Sequence, residues 1–379
     1  MANIELVNVT KSFGKKKALN DISLQVHDKE FFVLFGPAGA GKTTILKIIA
    51  GIEMPEKGLV KFNGEIVNLV EPAQRNVSMV FENYALYPHI SAFDNIASPM
   101  RSPLYKKDEE TIKEKVMNVA ALMKIDHLMD RLPAHMSNGQ RQRVALGRCL
   151  VREPKAFLMD EPLAHLDAKL RHFMRAELKE MQANFNTTTI YVTHDYMEAL
   201  SLGDRIAVIN NGQIEQLGTG DEMYYTPINE FVARLFGEPE INIIDAEFVF
   251  DGVNKGVRIL NQIKSFNIPD DVFEALAATG KTQFHIGLRA IDLNFCFERQ
   301  SEHDIHGQVY SIEPIGNKAV LNVDVNDTIL RTVSSPDLQA EMDSDIFLSV
   351  NMKNAMFFDA DSHKLVVRHN QAQYTKAVK

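Results

Sequence analysis

The chain of 379 residues has no tryptophan and only two cysteines, Cys149 and Cys296. Two thiols cannot build the disulfide framework of a small secreted domain, and their scarcity suits a reducing compartment. Cys149 follows Gly147 and Arg148 in an apolar helical pattern and reads as a buried structural thiol, not a reactive one. No apolar run approaches the roughly 20 residues that cross a bilayer as a helix. Met1–Glu5 lacks the basic-then-apolar start of a secretion signal. The expectation is a protein on the cytoplasmic side that reaches a membrane only through partners. Basic charge is also short: 41 Lys and Arg stand against 50 Asp and Glu, a formal net charge of −9. A general affinity for nucleic acid or anionic lipid is therefore not expected. The twelve histidines show no metal-ligand spacing, and His303 and His306 read as surface residues.

What is present is an ordinary globular composition, 45% hydrophobic and 24% charged, long enough for two or three domains. From Ile4 to Val26 residues alternate around Gly14, as in antiparallel strands. Phe31–Phe35, Val60–Phe62, Val77–Phe81, Lys155–Asp160 and Thr189–Thr193 read as further strands, and Tyr105–Leu132 as a charged helical region opened by Lys106, Lys107, Asp108, Glu109 and Glu110. Strands alternating with helices predict a mostly parallel α/β core through about Phe236. After Gly237-Glu238-Pro239 short strand-like runs dominate, among them Gln283–Gly287, Gly307–Ile312, Ala319–Val325 and Ile346–Val350. They predict a small β-barrel or sandwich, with domains 1–236 and 237–379.

The richest segment is Gly36-Pro37-Ala38-Gly39-Ala40-Gly41-Lys42-Thr43-Thr44. It fits G-x-x-x-x-G-K-[ST] and lies between a continuous apolar strand and an apolar-periodic helix. Glycines there let backbone N–H groups converge on phosphate oxygens, and the helix N-terminus adds its positive end. Lys42 is placed to reach the β- and γ-phosphates and Thr43 to ligate Mg²⁺. The segment predicts binding of a nucleoside triphosphate. Downstream, the apolar run Lys155–Met159 ends in Asp160 and Glu161. Carboxylates there are costly unless they face a cation or a reacting water. Asp160 suits contact with Mg²⁺ through water, and Glu161 suits the general base that polarises the attacking water.

Two further pieces make the chain resemble the ATP-binding subunits of ABC transporters. Met136-Ser137-Asn138-Gly139-Gln140 matches the Leu-Ser-Gly-Gly-Gln signature loop with two changes, and Thr193-His194-Asp195 closes the last core strand with the family's switch histidine. Asp160-Glu161-Pro162-Leu163 with Leu166-Asp167-Ala168 looks like the joined Walker B and D-loop. Phe13 matches the aromatic that stacks on adenine, and Val80–His89 the Q-loop. Tyr84-Ala85-Leu86-Tyr87-Pro88, with the β-rich tail, looks like the maltose and glycerol-phosphate importer subgroup, whose C-terminal regulatory domain has oligonucleotide/oligosaccharide-binding-fold elements. Gly287–Leu293 resembles that domain's Gly-x-Arg-Pro-Glu-x-Leu motif, with Ala290 and Ile291 in place of Pro and Glu.

The resemblance implies a peripheral ATPase on the cytoplasmic face of the cell membrane, served by ATP and Mg²⁺. It implies two transmembrane permease subunits, an extracytoplasmic binding protein and a second ATPase subunit packed head to tail. Ser137 to Gln140 of one subunit then face the nucleotide held by the phosphate loop of the other. His194 contacts the γ-phosphate, Asp167 lies at the dimer interface, and Tyr84 to Pro88 dock the membrane subunit. Two positions depart from the pattern. Glu82 stands where the family usually has Gln, keeping an oxygen for Mg²⁺ while adding negative charge. Asn138 replaces the first signature Gly; should that position need a positive φ, Asn is among the least penalised alternatives. Asn138 leaves both a homodimer and a heterodimer with a non-identical ATPase open. A soluble ABC ATPase of DNA repair or translation is the competing class. It is disfavoured by one cassette, no heptad arm and net acidity.

Overall fold

The computed structural model describes residues 2–81, 83–152, 154–164, 166–185, 187–250, 255–260 and 265–374. The chain divides into two compact units, Met1–Gly220 and Asp221–Lys379.

In the first unit, alternation builds an antiparallel layer. Strand β1 (Ile4–Phe13) buries Ile4 and Leu6, then Val9 after a bulge at Asn8, whose φ is 50°. The shift keeps the apolar face inward while Asn8 Nδ2 donates to Asp21 Oδ1 at 2.9 Å. Strand β2 (Lys16–Val26) pairs with it. Strand β3 (Phe31–Phe35) is buried at every position, as the centre of a parallel sheet requires, and leads into helix α1 (Lys42–Ala50). Strands β4 (Lys57–Phe62) and β5 (Glu65–Ile66) complete a four-stranded sheet in the order β2-β1-β4-β5.

The chain then supplies β6 (Val77–Val80) and a helical portion of α2 (Ala92–Arg101), α3 (Glu109–Leu122) and α4 (Asn138–Leu150). The predicted helix over Tyr105–Leu132 is shorter than expected. Asp108 caps α3 through Thr111 N–H, so Lys106 and Lys107 precede the helix, and Lys124, at φ 54°, turns the chain after it. Strand β7 (Ala156–Asp160), α5 (Ala168–Phe185), β8 (Thr188–Thr193), α6 (Tyr196–Leu202), β9 (Arg205–Asn210) and β10 (Gln213–Gly218) follow. The main sheet has the order β10-β9-β3-β8-β7-β6, parallel except for β10. Ile45, Leu46 and Ile49 of α1 pack with Leu34, Leu158, Ile190 and Ala207 in one core.

The second unit carries two antiparallel sheets, of six and five strands, around a core that includes Phe284, Ile286, Val309, Leu348 and Phe357. The strands predicted at Gln283, Gly307, Ala319 and Ile346 lie within Gln283–Leu288, Ile305–Ile315, Lys318–Val325 and Asp345–Val350. The division after Gly220 falls earlier than the change of texture at Gly237. The reason lies in buried arginines. Arg289 donates to the carbonyls of Tyr224, Ala233 and Phe236, and Arg368 to that of Tyr225. The helical segment after Asp221 is thereby fastened to the β-rich unit, which composition does not reveal.

Candidate functional site: a phosphate cradle at the strand ends

Three strands of the main sheet end together in the groups that matter. After β3 the chain turns at Gly36, with φ 146°, where a Cβ would stand 2.2 Å from the carbonyl oxygen of Ile209 on β9. Gly41, at φ 112°, precedes α1, and a Cβ there would meet Ala18 O at 2.6 Å. Only glycine permits both approaches. Pro37, Ala38 and Gly39 are exposed on the rim, while Ala40 is buried and tied to Gly212 N–H at 2.9 Å. Thr44, half-buried, follows Thr43 in the first turn of α1.

Lys42 is folded back over its own loop, with Nζ donating to the carbonyls of Gly36 at 2.8 Å and Pro37 at 2.9 Å. Burial lowers its pKa, and the carboxylates of Glu161 and Asp160 oppose that shift. The side chain sequence reasoning assigned to phosphate therefore spans the cradle as an internal cation. Thr43 Oγ1 donates to Asp160 Oδ1 at 3.0 Å, and Asp160 is 3% exposed. These two hard oxygen donors are the kind of set that suits Mg²⁺.

Glu161, just past the end of β7, has φ 46°, a conformation uncommon for Glu, and its N–H donates to Val192 O at 3.1 Å on β8. The turn aims its carboxylate at His194 beyond β8, with Oε2 2.9 Å from Nδ1. Sequence reasoning named both residues but gave them no contact. Beneath them, Tyr191 OH and Thr193 Oγ1 both donate to Glu198 Oε2, at 2.8 and 2.7 Å. Burial pushes the Glu198 carboxyl up from its ordinary range.

The signature segment opens α4. Ser137 is its N-cap, accepting from Gln140 N–H at 3.3 Å, while Gln140 Oε1 accepts from Ser137 N–H at 3.0 Å. This reciprocal cap fixes the entry to the helix. Asn138 is the first helical residue and is not among the positive-φ positions, so its replacement of glycine carries no left-handed strain here. Its Oδ1 accepts from Arg141. A Cβ on Gly139 would make only an ordinary contact with Leu166, at 3.4 Å. Gln142 is fully buried and bonds the carbonyl of Pro162, coupling α4 to the chain after Glu161. Asp167 caps α5 through Leu170 N–H at 2.9 Å and is exposed. Phe13 is 48% exposed at the end of β1, with Lys11 Nζ 5.2 Å from the ring centre.

The Tyr84–Pro88 segment is held by residues that no motif announced. Tyr84 and Ala85 have φ of 64° and 44°, and Arg148 of α4 donates to both carbonyls, at 2.9 and 2.8 Å. Buried Asn95 clamps Tyr87 through its N–H at 2.8 Å and its carbonyl at 3.0 Å. Tyr87 and Pro88 remain exposed, and Leu86 is half-buried. A cavity of about 570 Å³ beside them is lined by Phe81, Ala85, Tyr87, Pro99, Tyr105 and Arg148. Glu82 lies outside the described residues. Cys149 is buried as expected, and burial pushes its thiol up to about 12.

A glycine cradle at a helix N-terminus, a buried lysine, two carboxylates at one strand end and a histidine at the next suit a nucleoside-triphosphate hydrolase. Residues 19–164 match the family model described as ABC transporter. The trehalose/maltose import ATP-binding protein MalK of Thermococcus litoralis is 40% identical over 379 residues, covering 97% of this chain and all of that protein. The sn-glycerol-3-phosphate import ATP-binding protein UgpC of Psychromonas ingrahamii is 38% identical over 374 residues, covering 96% of this chain and 95% of that protein. Among solved structures, a dimeric ATP-binding cassette in a post-hydrolysis state with ADP and Pi is similar, with a TM-score of 0.54 and 27% identity over 57% of this chain and 98% of that one. The chain belongs to the ABC transporter family, as an ATP-hydrolysing subunit of the importer type. Among the described residues no helix is long and apolar enough to cross a membrane.

Proposed function

We propose that this ATPase drives uptake of a carbohydrate, polyol or glycerol phosphate through two separate permease subunits supplied by an extracytoplasmic binding protein. The observation that carries the reading is the match over nearly the whole of both chains to an import subunit, β-rich unit included. The subunit works from the cytoplasmic face of the membrane. It pairs with a second ATPase subunit, identical or homologous.

The residues then divide the labour. Phe13 stacks on the adenine, and the Gly36–Thr44 loop with the N-terminus of α1 holds the phosphates. Lys42 exchanges the carbonyls of Gly36 and Pro37 for phosphate oxygens, gaining charge-assisted bonds. Thr43, Asp160 and Glu82 would hold Mg²⁺, which would neutralise phosphate charge. Glu161 accepts the proton of the attacking water, and His194, already paired with it, orients that carboxylate and reaches the γ-phosphate. Ser137, Asn138, Gly139 and Gln140 of one subunit face the nucleotide of the other, and Asp167 lies at their interface. Tyr84 to Pro88 receive the permease, and the β-rich unit regulates turnover.

The assembly is tested with Glu161→Gln, which retains ATP without hydrolysing it. Light scattering should show an ATP- and Mg²⁺-dependent dimer; a chain that binds ATP and stays monomeric points to a non-identical partner. The cargo is tested in proteoliposomes carrying the permease and binding protein. Stimulation of ATPase by a sugar, a polyol or glycerol phosphate supports the class, and stimulation by none of them removes it.

A further inference from the structure

Away from the phosphate cradle, one group of side chains among the described residues brings metal-ligating atoms together: Glu230, His285 and His363, within 4.8 Å of one another. They come from three places in the second unit. Glu230 begins the short helix Glu230–Leu235, His285 lies in strand Gln283–Leu288, and His363 sits in the turn joining strands Met356–Asp359 and Leu365–Arg368. Both imidazoles aim Nδ1 at the same oxygen, Glu230 Oε1, at 2.6 Å from His285 and 3.2 Å from His363. The separations of these residues along the chain explain why spacing gave no sign of the cluster.

The three backbones are fixed to each other independently of the side chains. Glu230 N–H donates to His363 O at 3.0 Å, and Leu365 N–H to Ile228 O at 2.9 Å. His285 pairs with Phe358 in the adjoining strand. His363 is held at φ 57° by its N–H bond to Asp359 O, in a turn where the Asp359 carboxylate also receives Ser362 N–H. That conformation places the ring over Glu230. Glu230 and His285 side chains are 11% and 20% exposed, whereas His363 is 56% exposed. The cluster is thus closed beneath and reachable from solvent on the His363 side. On the far side of the His285 ring, Nε2 lies 3.4 Å from Asp245 Oδ1. A metal ion would replace the proton that His285 Nδ1 shares with Glu230 Oε1, and Asp245 would then accept from Nε2–H.

We propose that Glu230, His285 and His363 bind one divalent transition-metal ion of the zinc class. Two imidazole nitrogens and one carboxylate oxygen suit Zn²⁺ and its neighbours, not Mg²⁺ or Ca²⁺, which take oxygen ligands. With metal–ligand bonds of about 2.0–2.2 Å, tetrahedral ligands stand about 3.3 Å apart. The His363 separation already matches, and the His285 separation opens as the Glu230 carboxylate rotates. Water takes the fourth position on the exposed side. The ion staples the start of the helix to the strand and to the turn, so its binding stabilises the second unit. The site does not depend on which cargo the transporter carries.

The test uses the full chain without nucleotide, dialysed against Zn²⁺ in excess Mg²⁺. The parent should bind one ion that His285→Gln and His363→Asn each weaken by more than the roughly 10- to 100-fold that loss of an outer-shell partner costs. Asn tolerates the positive φ of position 363, so that variant stays folded; His306→Gln, at an exposed His–Asp pair 2.8 Å apart, should bind as the parent does. Co²⁺ in place of Zn²⁺ should give the visible absorption of tetrahedral coordination in the parent and lose it in both site variants. Equal affinity in parent and site variants, or absence of a stoichiometric ion in the parent, overturns the proposal.

Discussion

Glu161 Oε2 and His194 Nδ1 lie 2.9 Å apart, each residue placed by the end of a different strand of the parallel sheet. The pair places an acceptor for a water proton beside a group able to orient it. Glu161→Gln should lower turnover about 10²- to 10⁴-fold while leaving ATP affinity near that of the parent. His194→Ala should lower turnover with Glu161 still present. Single-turnover hydrolysis beside equilibrium ATP binding separates the effects; equal loss of binding and turnover would assign the pair to nucleotide retention instead.

The parts of this site written in contiguous residues were legible in the sequence. Glycine spacing between an apolar strand and a periodic helix determines the cradle, because backbone approach to Ile209 and Ala18 admits no Cβ. The Thr43–Asp160 bond joins two residues that the sequence relates only through the metal role proposed for both. What was hidden depends on distant partners. Nothing near Arg148 in sequence points to the carbonyls of Tyr84 and Ala85, and nothing near Arg289 points to those of Tyr224, Ala233 and Phe236. Long cations that satisfy irregular backbone leave no periodic pattern. For the same reason composition changes at Gly237 although the second compact unit begins at Asp221, and no spacing in the sequence signals the meeting of Glu230, His285 and His363.

Arg148 supports the Tyr84–Pro88 segment with two hydrogen bonds and lies with its guanidinium 5.6 Å from the Tyr87 ring centre. Removing them leaves two carbonyls of a left-handed turn unsupported. Arg148→Ala should cost about 2 kcal/mol and raise amide exchange over residues 83–87. ATPase of the isolated chain should change little, while permease-coupled transport falls. Unchanged exchange in that segment would remove Arg148 as its support.

Glu82 differs from the family's usual Gln by its charge when ionised, with an oxygen available in either case. If Glu82 takes the metal role that the family's Gln has, its extra charge should make hydrolysis respond differently to Mg²⁺. Glu82→Gln should therefore change turnover and its Mg²⁺ dependence while the fold is retained. Superimposable rates for parent and variant across a Mg²⁺ series would sink the idea.

Glu198 gives a pH dependence whose sign follows from its surroundings. The residue is 3% exposed, and burial raises its pKa in the folded state more than the bonds from Thr193 and Tyr191 lower it. The folded protein thus holds this proton more tightly than the unfolded chain, where a glutamate titrates near about 4.3. The resulting stabilisation is full below that value and is lost as pH rises through the higher folded pKa. Glu198→Gln keeps an oxygen that can accept from Tyr191 and Thr193 without the cost of burying a charge. Urea unfolding from acid to neutral pH should show the parent losing stability relative to the variant over that window, with parallel curves above it. Parallel curves throughout would mean that the carboxylate is fully compensated by its partners, and Glu198 would then contribute nothing to the pH response.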